Sequence, residues 1–277
     1  MNDARVLRSE RLRRMRLISL LLSVSCLFAA CRTPSPPRPM PELDASALVS
    51  AMLARADAAA GLRAHARISI DAPGLDVSRP QRLAVERPDS LRVEILGLFH
   101  QIAAVLVVRD GHYQLWESGT KEVQQGRVTS ALLWRVARVA LTPEEAVDLM
   151  LGSPGLVPWL DLGPARWQGD RFVVERLGGG GILVERLRFD ADGRLRGFER
   201  FASTGELVWS ATFDDHRPLM GGDGAMRSFA HTVRLRFPLE EARVDVEYGE
   251  VQLDPELSPS LFELAPARRR EDGAAPN

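Results

Sequence analysis

The 277-residue sequence has only two cysteines, too few for a disulfide scaffold or for a structural zinc module with its usual four ligands. It lacks a charge excess, 36 basic residues facing 37 acidic ones for a formal net charge of −1. A nucleic-acid binder would show a basic surplus, so that class is set aside. Lysine is nearly missing: Lys121 is the single one among the basic residues, a bias that fits GC-rich coding and implies no chemistry. Beyond residue 31 the longest uncharged apolar run is the seven residues Ile102 to Val108, far below the roughly 18 of a membrane-spanning helix. With 45% apolar residues the chain is also not a disordered polypeptide.

Catalytic signatures are missing as well. No Gly-x-Ser-x-Gly elbow, His-Glu-x-x-His pair or phosphate loop closing on Lys-Ser/Thr occurs. The glycines Gly178 to Gly181 lie between two strand patterns and read as a flexible hairpin. The five histidines, His65, His100, His112, His216 and His231, have no ligand-like spacing. Asp214-Asp215-His216, shortly before Pro218, reads as a solvated turn. An enzyme would need several of His112, His216, His231, Asp214 and Glu247 to converge in one cleft. The expectation is therefore no catalysis, no cofactor and no metal.

What is present begins at the N-terminus. Six arginines between Arg5 and Arg16 precede fourteen uncharged residues, Leu17 to Ala30. This segment is too short to span a bilayer and matches the apolar core of a secretory signal peptide; Met15 is an alternative start. It ends Leu27-Phe28-Ala29-Ala30-Cys31, similar to a bacterial lipobox, whose cysteine becomes the lipidated first residue of the mature chain. Cys26 is the poorer candidate because its apolar core would be short. The bland alternative is an ordinary signal peptide cut near Ala30, with Cys31 a free thiol. Removing residues 1–30 takes away six arginines, Asp3 and Glu10 and leaves a net charge of −5. Arg32, rather than Asp, follows the cysteine, which by resemblance to enteric sorting favours the outer membrane. Five prolines within residues 33–41 make an extended tether. The expected organisation is a signal peptide at 1–30, lipidated Cys31 and tether at 31–43, a folded domain at 44–265 and a disordered tail at 266–277.

Within the domain, Asp44 is placed to N-cap a helix running to about Ala60 and stopped by Gly61. Alternating segments follow: Leu91-Val93-Ile95, Leu183-Leu187-Phe189, Leu207-Trp209-Ala211-Phe213, Val233-Leu235-Phe237 and Val244-Val246-Tyr248. Period two with one apolar face predicts antiparallel strands, with turns at Asp110-Gly111, Asp192-Gly193 and Gly178–Gly181. Only the centre has helical spacing, at Ser130 to about Val139. A second helix opens at Thr142-Pro143-Glu144-Glu145, a capping box with proline at its first position, and ends at Gly152. The predicted class is mainly β (α+β): a curved antiparallel meander of about 10–11 strands with helices against its concave face.

The order of these features is that of a family. A strand (Leu91 to Leu96), a Gly/apolar tip (Gly97-Leu98-Phe99), a strand (Ile102 to Val108), a Gly turn with Tyr113 and a helical pair closing on Leu149-Met150-Leu151-Gly152 span Ser90 to Leu160. The stretch resembles the LolB-like outer-membrane lipoprotein receptors and related LolA/LolB-fold lipoproteins; looser strand similarity runs from Ala64 to Phe262. The resemblance implies an incomplete antiparallel β-barrel with helices capping an apolar cavity. It further implies that acyl chains of lipoproteins arrive there from a periplasmic carrier, and that an apolar loop residue helps deliver them to the membrane. Phe99, with Leu98 beside it, matches that loop, although His100 stands where the family has glycine.

Val93, Ile95, Val105, Val107, Trp209 and Phe213 are candidates to line the cavity, the strand parity being open. An acyl chain of ~16 carbons could gain on the order of 10 kcal/mol there, at about 0.8 kcal/mol per CH₂. The reading is a lipid-anchored, non-enzymatic binder of lipid or lipoprotein acyl chains at the periplasmic face of the outer membrane. The alternative is an envelope interaction or scaffold lipoprotein of the same fold. Its core would be filled by Trp134, Trp159 or Trp167, with Leu98 and Phe99 tucked inward.

Overall fold

A computed structural model describes residues 44–264, except 121, 130 and 131. The signal peptide, Cys31, the tether and the tail lie outside the described residues.

Among the described residues fourteen antiparallel strands form one sheet, more than the 10–11 expected because three of them, of two to four residues, are too short to show a period. They are β1 (Gly61–Ala72), β2 (Leu75–Glu86), β3 (Ser90–Leu96), β4 (Ile102–Arg109), β5 (His112–Glu117) and β6 (Gln124–Arg127). After the helical centre come β7 (Asp161–Leu162), β8 (Arg166–Gln168), β9 (Arg171–Leu177), β10 (Leu183–Phe189), β11 (Leu195–Phe201), β12 (Leu207–Met220), β13 (Met226–Phe237) and β14 (Ala242–Leu253). The first and last strands, β1 and β14, pair in the middle of the sheet. The free edges are therefore β6 on one side and β7 with β8 on the other. The barrel is incomplete, and the chain between its two edges, residues 128–160, holds two helices.

Those helices are α2 (Leu132–Ala137) and α3 (Pro143–Met150); α1 (Ala45–Asp57) precedes β1. The Thr142 capping box forms in full: the Glu145 amide donates to Thr142 Oγ1 at 3.2 Å and the Thr142 amide to Glu145 Oε2 at 2.9 Å. Gly152, at φ 84°, follows the last turn of α3. α2 ends at Ala137, short of the expected Val139, and two further readings are corrected. α1 stops at Asp57, before Gly61, which instead opens β1, where a Cβ would lie 3.1 Å from the Val85 carbonyl. Asp214-Asp215-His216 is not a turn but lies inside β12. Pro218 is accommodated because β12 beyond Thr212 pairs only with β13.

The inward parity of the strands and the buried faces of α1, α2 and α3 share one hydrophobic core. A second, smaller cluster sits on the outer face of β2 and β4. There Ala84, Val105 and Val107 are covered by Phe262 from the 3₁₀ turn Pro259–Phe262. The Arg92 guanidinium ties this cover down by donating to the Leu261 carbonyl at 3.0 Å. Ile102 to Val108 is thus apolar on both parities because both its faces are covered.

Because the strands form a meander, successive turns alternate between two ends of the half-barrel. One end carries turns 73–74, 97–101, 118–123, 178–182, 202–206 and 238–241, and the chain enters β7 there. The other carries 87–89, 110–111, 169–170, 190–194 and 221–225, and the chain leaves β6 there. The connection 128–160 thus crosses the open side from one end to the other.

Candidate functional site

The inner faces of β1 to β5, β13 and β14, with α2 and α3, enclose an apolar cavity of about 170 Å³. Val93, Ile95, Ala104, Leu106 and Leu115 form its sheet wall, and Leu133, Val136, Leu149 and Met150 its helical wall. Among the described residues only Gln81 and Tyr248 bring polar side chains to the lining. The Tyr248 hydroxyl donates to the Met150 carbonyl at 3.1 Å, and burial raises its pKa.

Two of the expected lining residues, Val93 and Ile95, are in the wall. Val105 and Val107 are not: alternation gives the inward parity of β4 to Ala104 and Leu106 and turns the valines to the outer cluster. Trp209 and Phe213 face inward but are consumed by the solid part of the core; the Trp209 ring lies 4.7 Å from that of Phe198. None of Trp134, Trp159 and Trp167 lines the cavity.

Leu98 and Phe99 stand 79% and 88% exposed at the β3–β4 tip, three and four residues from Ile95. His100 takes φ 62° there, and the Gln101 side chain accepts from the Phe99 amide at 3.0 Å. Other exposed apolar residues share that end: Ile182, Leu239 and Trp159, the last 97% exposed with φ 62°. A bulky side chain in the left-handed region is unusual. The sequence offered Trp159 as a core filler, and the structure displays it instead, because nothing local distinguishes a displayed tryptophan from a buried one.

It also missed the clamp beneath. Arg176, Glu185 and Arg200 stand opposite one another on β9, β10 and β11, all on the inward parity. Glu185 is fully buried; it accepts from Arg176 and, at 2.8 Å, from Arg200. Its Oε1 also accepts from the Val157 amide at 2.9 Å, while Arg176 donates to the Val157 carbonyl at 2.9 Å and Arg200 to the Gly155 carbonyl at 2.6 Å. Arg200 further pairs with Glu145 of α3. The segment just before Trp159 is therefore held by a desolvated charge network.

At the opposite end α3 is tied by an Arg87–Asp148 ion pair, although burial still raises the Asp148 pKa. The polar residues considered for catalysis do not gather. Asp214 pairs with Arg234 at 2.8 Å, His231 is buried beside the Phe229 carbonyl, and His216 faces Arg196. Burial, then the nearby Arg196, lowers the His216 pKa to about 4. Among the described residues no three His, Cys, Asp or Glu side chains group as a metal site.

An antiparallel half-barrel with helices lying across its open side and an apolar cavity beneath them defines the structural class. Solved structures share this fold. A LolA superfamily protein from Nitrosomonas europaea superposes with a TM-score of 0.53 at 12% identity, over 80% of this chain and 98% of that one. A domain assigned to outer-membrane lipoprotein-sorting proteins from Vibrio parahaemolyticus gives 0.50 at 14% identity, over 78% and 94%. A DUF1329 family protein from Desulfovibrio piger gives 0.51 at 15%, over 78% and 94%. No protein-family model and no curated protein matches the sequence.

Proposed function

We propose that this chain is a non-enzymatic, lipid-anchored protein of the cell envelope that binds acyl chains of lipids or lipoproteins in its half-barrel. The observation that carries the reading is the pairing of an almost wholly apolar cavity with an exposed apolar tip beside it, Leu98-Phe99. An unneeded pair of this kind at a hairpin tip would be a liability in water. The end that bears it faces the periplasmic surface of the outer membrane, to which Cys31 attaches the chain. Thirteen tether residues, 31–43, reach about 45 Å when extended, enough to let that end approach the bilayer. The fold shared with a lipoprotein-sorting domain supports a part in lipoprotein localisation, with a periplasmic carrier as donor.

The size of the cavity sets a condition on this reading. About 170 Å³ is close to the ~150 Å³ of an engineered cavity that holds one benzene ring. That is room for about six carbons of a chain of ~16, so binding requires the wall to widen. The wall that yields is α2: besides its buried Leu132 and Leu133, its side-chain hydrogen bond to the sheet among the described residues is from the Arg135 guanidinium, which donates to the Tyr113 hydroxyl at 2.9 Å. α3, by contrast, is pinned through Glu145, Asp148 and the Met150 carbonyl.

Native mass spectrometry of the full chain extracted from membranes is the test. Bound lipid that is lost in Leu106→Trp, a substitution that fills the cavity, is the expected result; lipid-free protein would overturn it. Phe99→Glu should leave binding intact and impair lipoprotein localisation in the native host. The small volume is the observation that favours the second reading, a scaffold lipoprotein with a filled core. On that reading no lipid is bound, and Leu106→Trp strains the fold without changing any ligand.

A further inference from the structure

Gln81 is out of place in the cavity wall. It lies on β2 with the inward parity of Leu83 and Val85, opposite Ala66 on β1 and Ile95 on β3. It is 5% exposed, and its Oε1 has no hydrogen-bond partner among the described residues. Buried amides in folded proteins are almost always paired, so an orphan of this kind asks for an explanation. A trapped water would need two to four polar neighbours. Among the described residues the lining offers only the Tyr248 hydroxyl besides, and its one proton is already given to the Met150 carbonyl.

We propose that the cavity's ligand is an acyl chain bearing a hydroxyl group, and that Gln81 is the residue that recognises it. This rests on the acyl-binding reading above and narrows its substrate class. A hydroxyl both donates and accepts, so it can give its proton to Oε1 while taking one from the amide nitrogen. An ester carbonyl only accepts and would leave Oε1 orphaned, as would a plain hydrocarbon. The choice also survives exchange of the two amide positions, since a hydroxyl satisfies either arrangement. The surrounding Ile95, Ala104, Val244 and Val246 supply the apolar contact for the chain on either side.

The test titrates the full chain with dodecanoic acid and with its 3-hydroxy and 12-hydroxy analogues, in the native protein and in Gln81→Leu. The native protein should bind at least one hydroxylated acid about tenfold more tightly than the plain one. Gln81→Leu, nearly equal in volume and apolar like its neighbours, should lose that preference and bind the plain acid at least as well. Equal affinity for all three acids, or a preference that survives Gln81→Leu, would overturn the assignment and leave the acyl-binding reading standing. Failure to bind any of them would overturn both. A melting curve for Gln81→Leu at or above that of the native protein shows that the fold is intact.

Discussion

At one end of the half-barrel the turns are built from aspartate and arginine; at the other they contain neither. The first end holds the 190–194 turn, where Asp190 Oδ1 accepts from the Asp192 and Arg194 amides at 3.0 and 2.9 Å and Asp190 pairs with Arg196 at 3.0 Å. It also holds the Asp223–Arg227–Asp254 chain, at 2.7 and 2.8 Å, and the Asp170–Arg171 pair at 2.6 Å. At the second end Leu98, Phe99, Ile182 and Leu239 stand in the turns, with Trp159 beside them. A protein this rich in arginine has many chances to place one there. An end closed by self-satisfied ion pairs gains nothing from a partner, whereas one that displays aliphatic and aromatic side chains gains by covering them. Under the proposed function the contrast gives solvent to the first end and an apolar surface to the second.

The comparison breaks most visibly if the apolar end loses its foundation. Replacing Glu185 with alanine leaves Arg176 and Arg200 facing each other without their shared anion. It also frees the Val157 amide. Removing one partner of a buried charge network costs about 3–5 kcal/mol, so urea unfolding should show a loss in that range. A loss below 1 kcal/mol would mean that the network is solvated and does not hold the segment before Trp159.

The members of this network were visible in the sequence, but the network they form was not. Leu183, Leu187 and Phe189 share a parity, and Glu185 sits among them on the same parity. Arg176 follows Val174 and Arg200 follows Phe198 in the same way. A lone charge on an apolar face reads as an irregularity; three in register on adjacent strands form a site, and register is a tertiary fact. The helices, by contrast, were legible because caps are local: the Thr142 box needs only residues three apart. The antiparallel meander was legible in the alternation; the incomplete barrel and its cavity were implied only by the family resemblance. Which parity of β4 faces inward was not legible, because both of its faces are apolar and a cover from residues 257–264 decides between them.

A smaller effect separates the ends by pH. His216 lies beside the Asp190 turn, at the ion-paired end, and its pKa is lowered to about 4. The unfolded chain, with an ordinary histidine near 6.5, takes up the proton first. Its contribution to stability is therefore complete above about pH 6.5 and is lost as the pH falls toward 4. Allowing for its partial exposure, the loss is about 1–2 kcal/mol. His216→Gln has no such proton to bind, so the stability gap between it and the native protein should change by that amount between pH 7 and 4.5. A gap independent of pH would show that the proton is taken up equally in both states.

The smallest effect on stability belongs to the residue that matters most to the comparison. Trp159 is 97% exposed and packs on almost nothing, so Trp159→Ser should shift unfolding by no more than about 0.5 kcal/mol. If the apolar end meets a bilayer, the same substitution should lower partition into phosphatidylethanolamine-rich vesicles about tenfold, since tryptophan at an interface buries its ring while its N–H stays wet. Met220, exposed beside the 221–225 turn of the ion-paired end, provides the control: Met220→Ser should leave partition unchanged. The part of the binding that depends on Trp159 should also withstand salt, because the 158–160 and 178–182 segments carry no charge to screen. Equal effects of the two substitutions would mean that exposed apolar area, and not the end that displays it, governs adhesion. An effect confined to Trp159 would tie the strained backbone and the buried clamp beneath it to a single purpose, holding one ring out of the protein and into lipid.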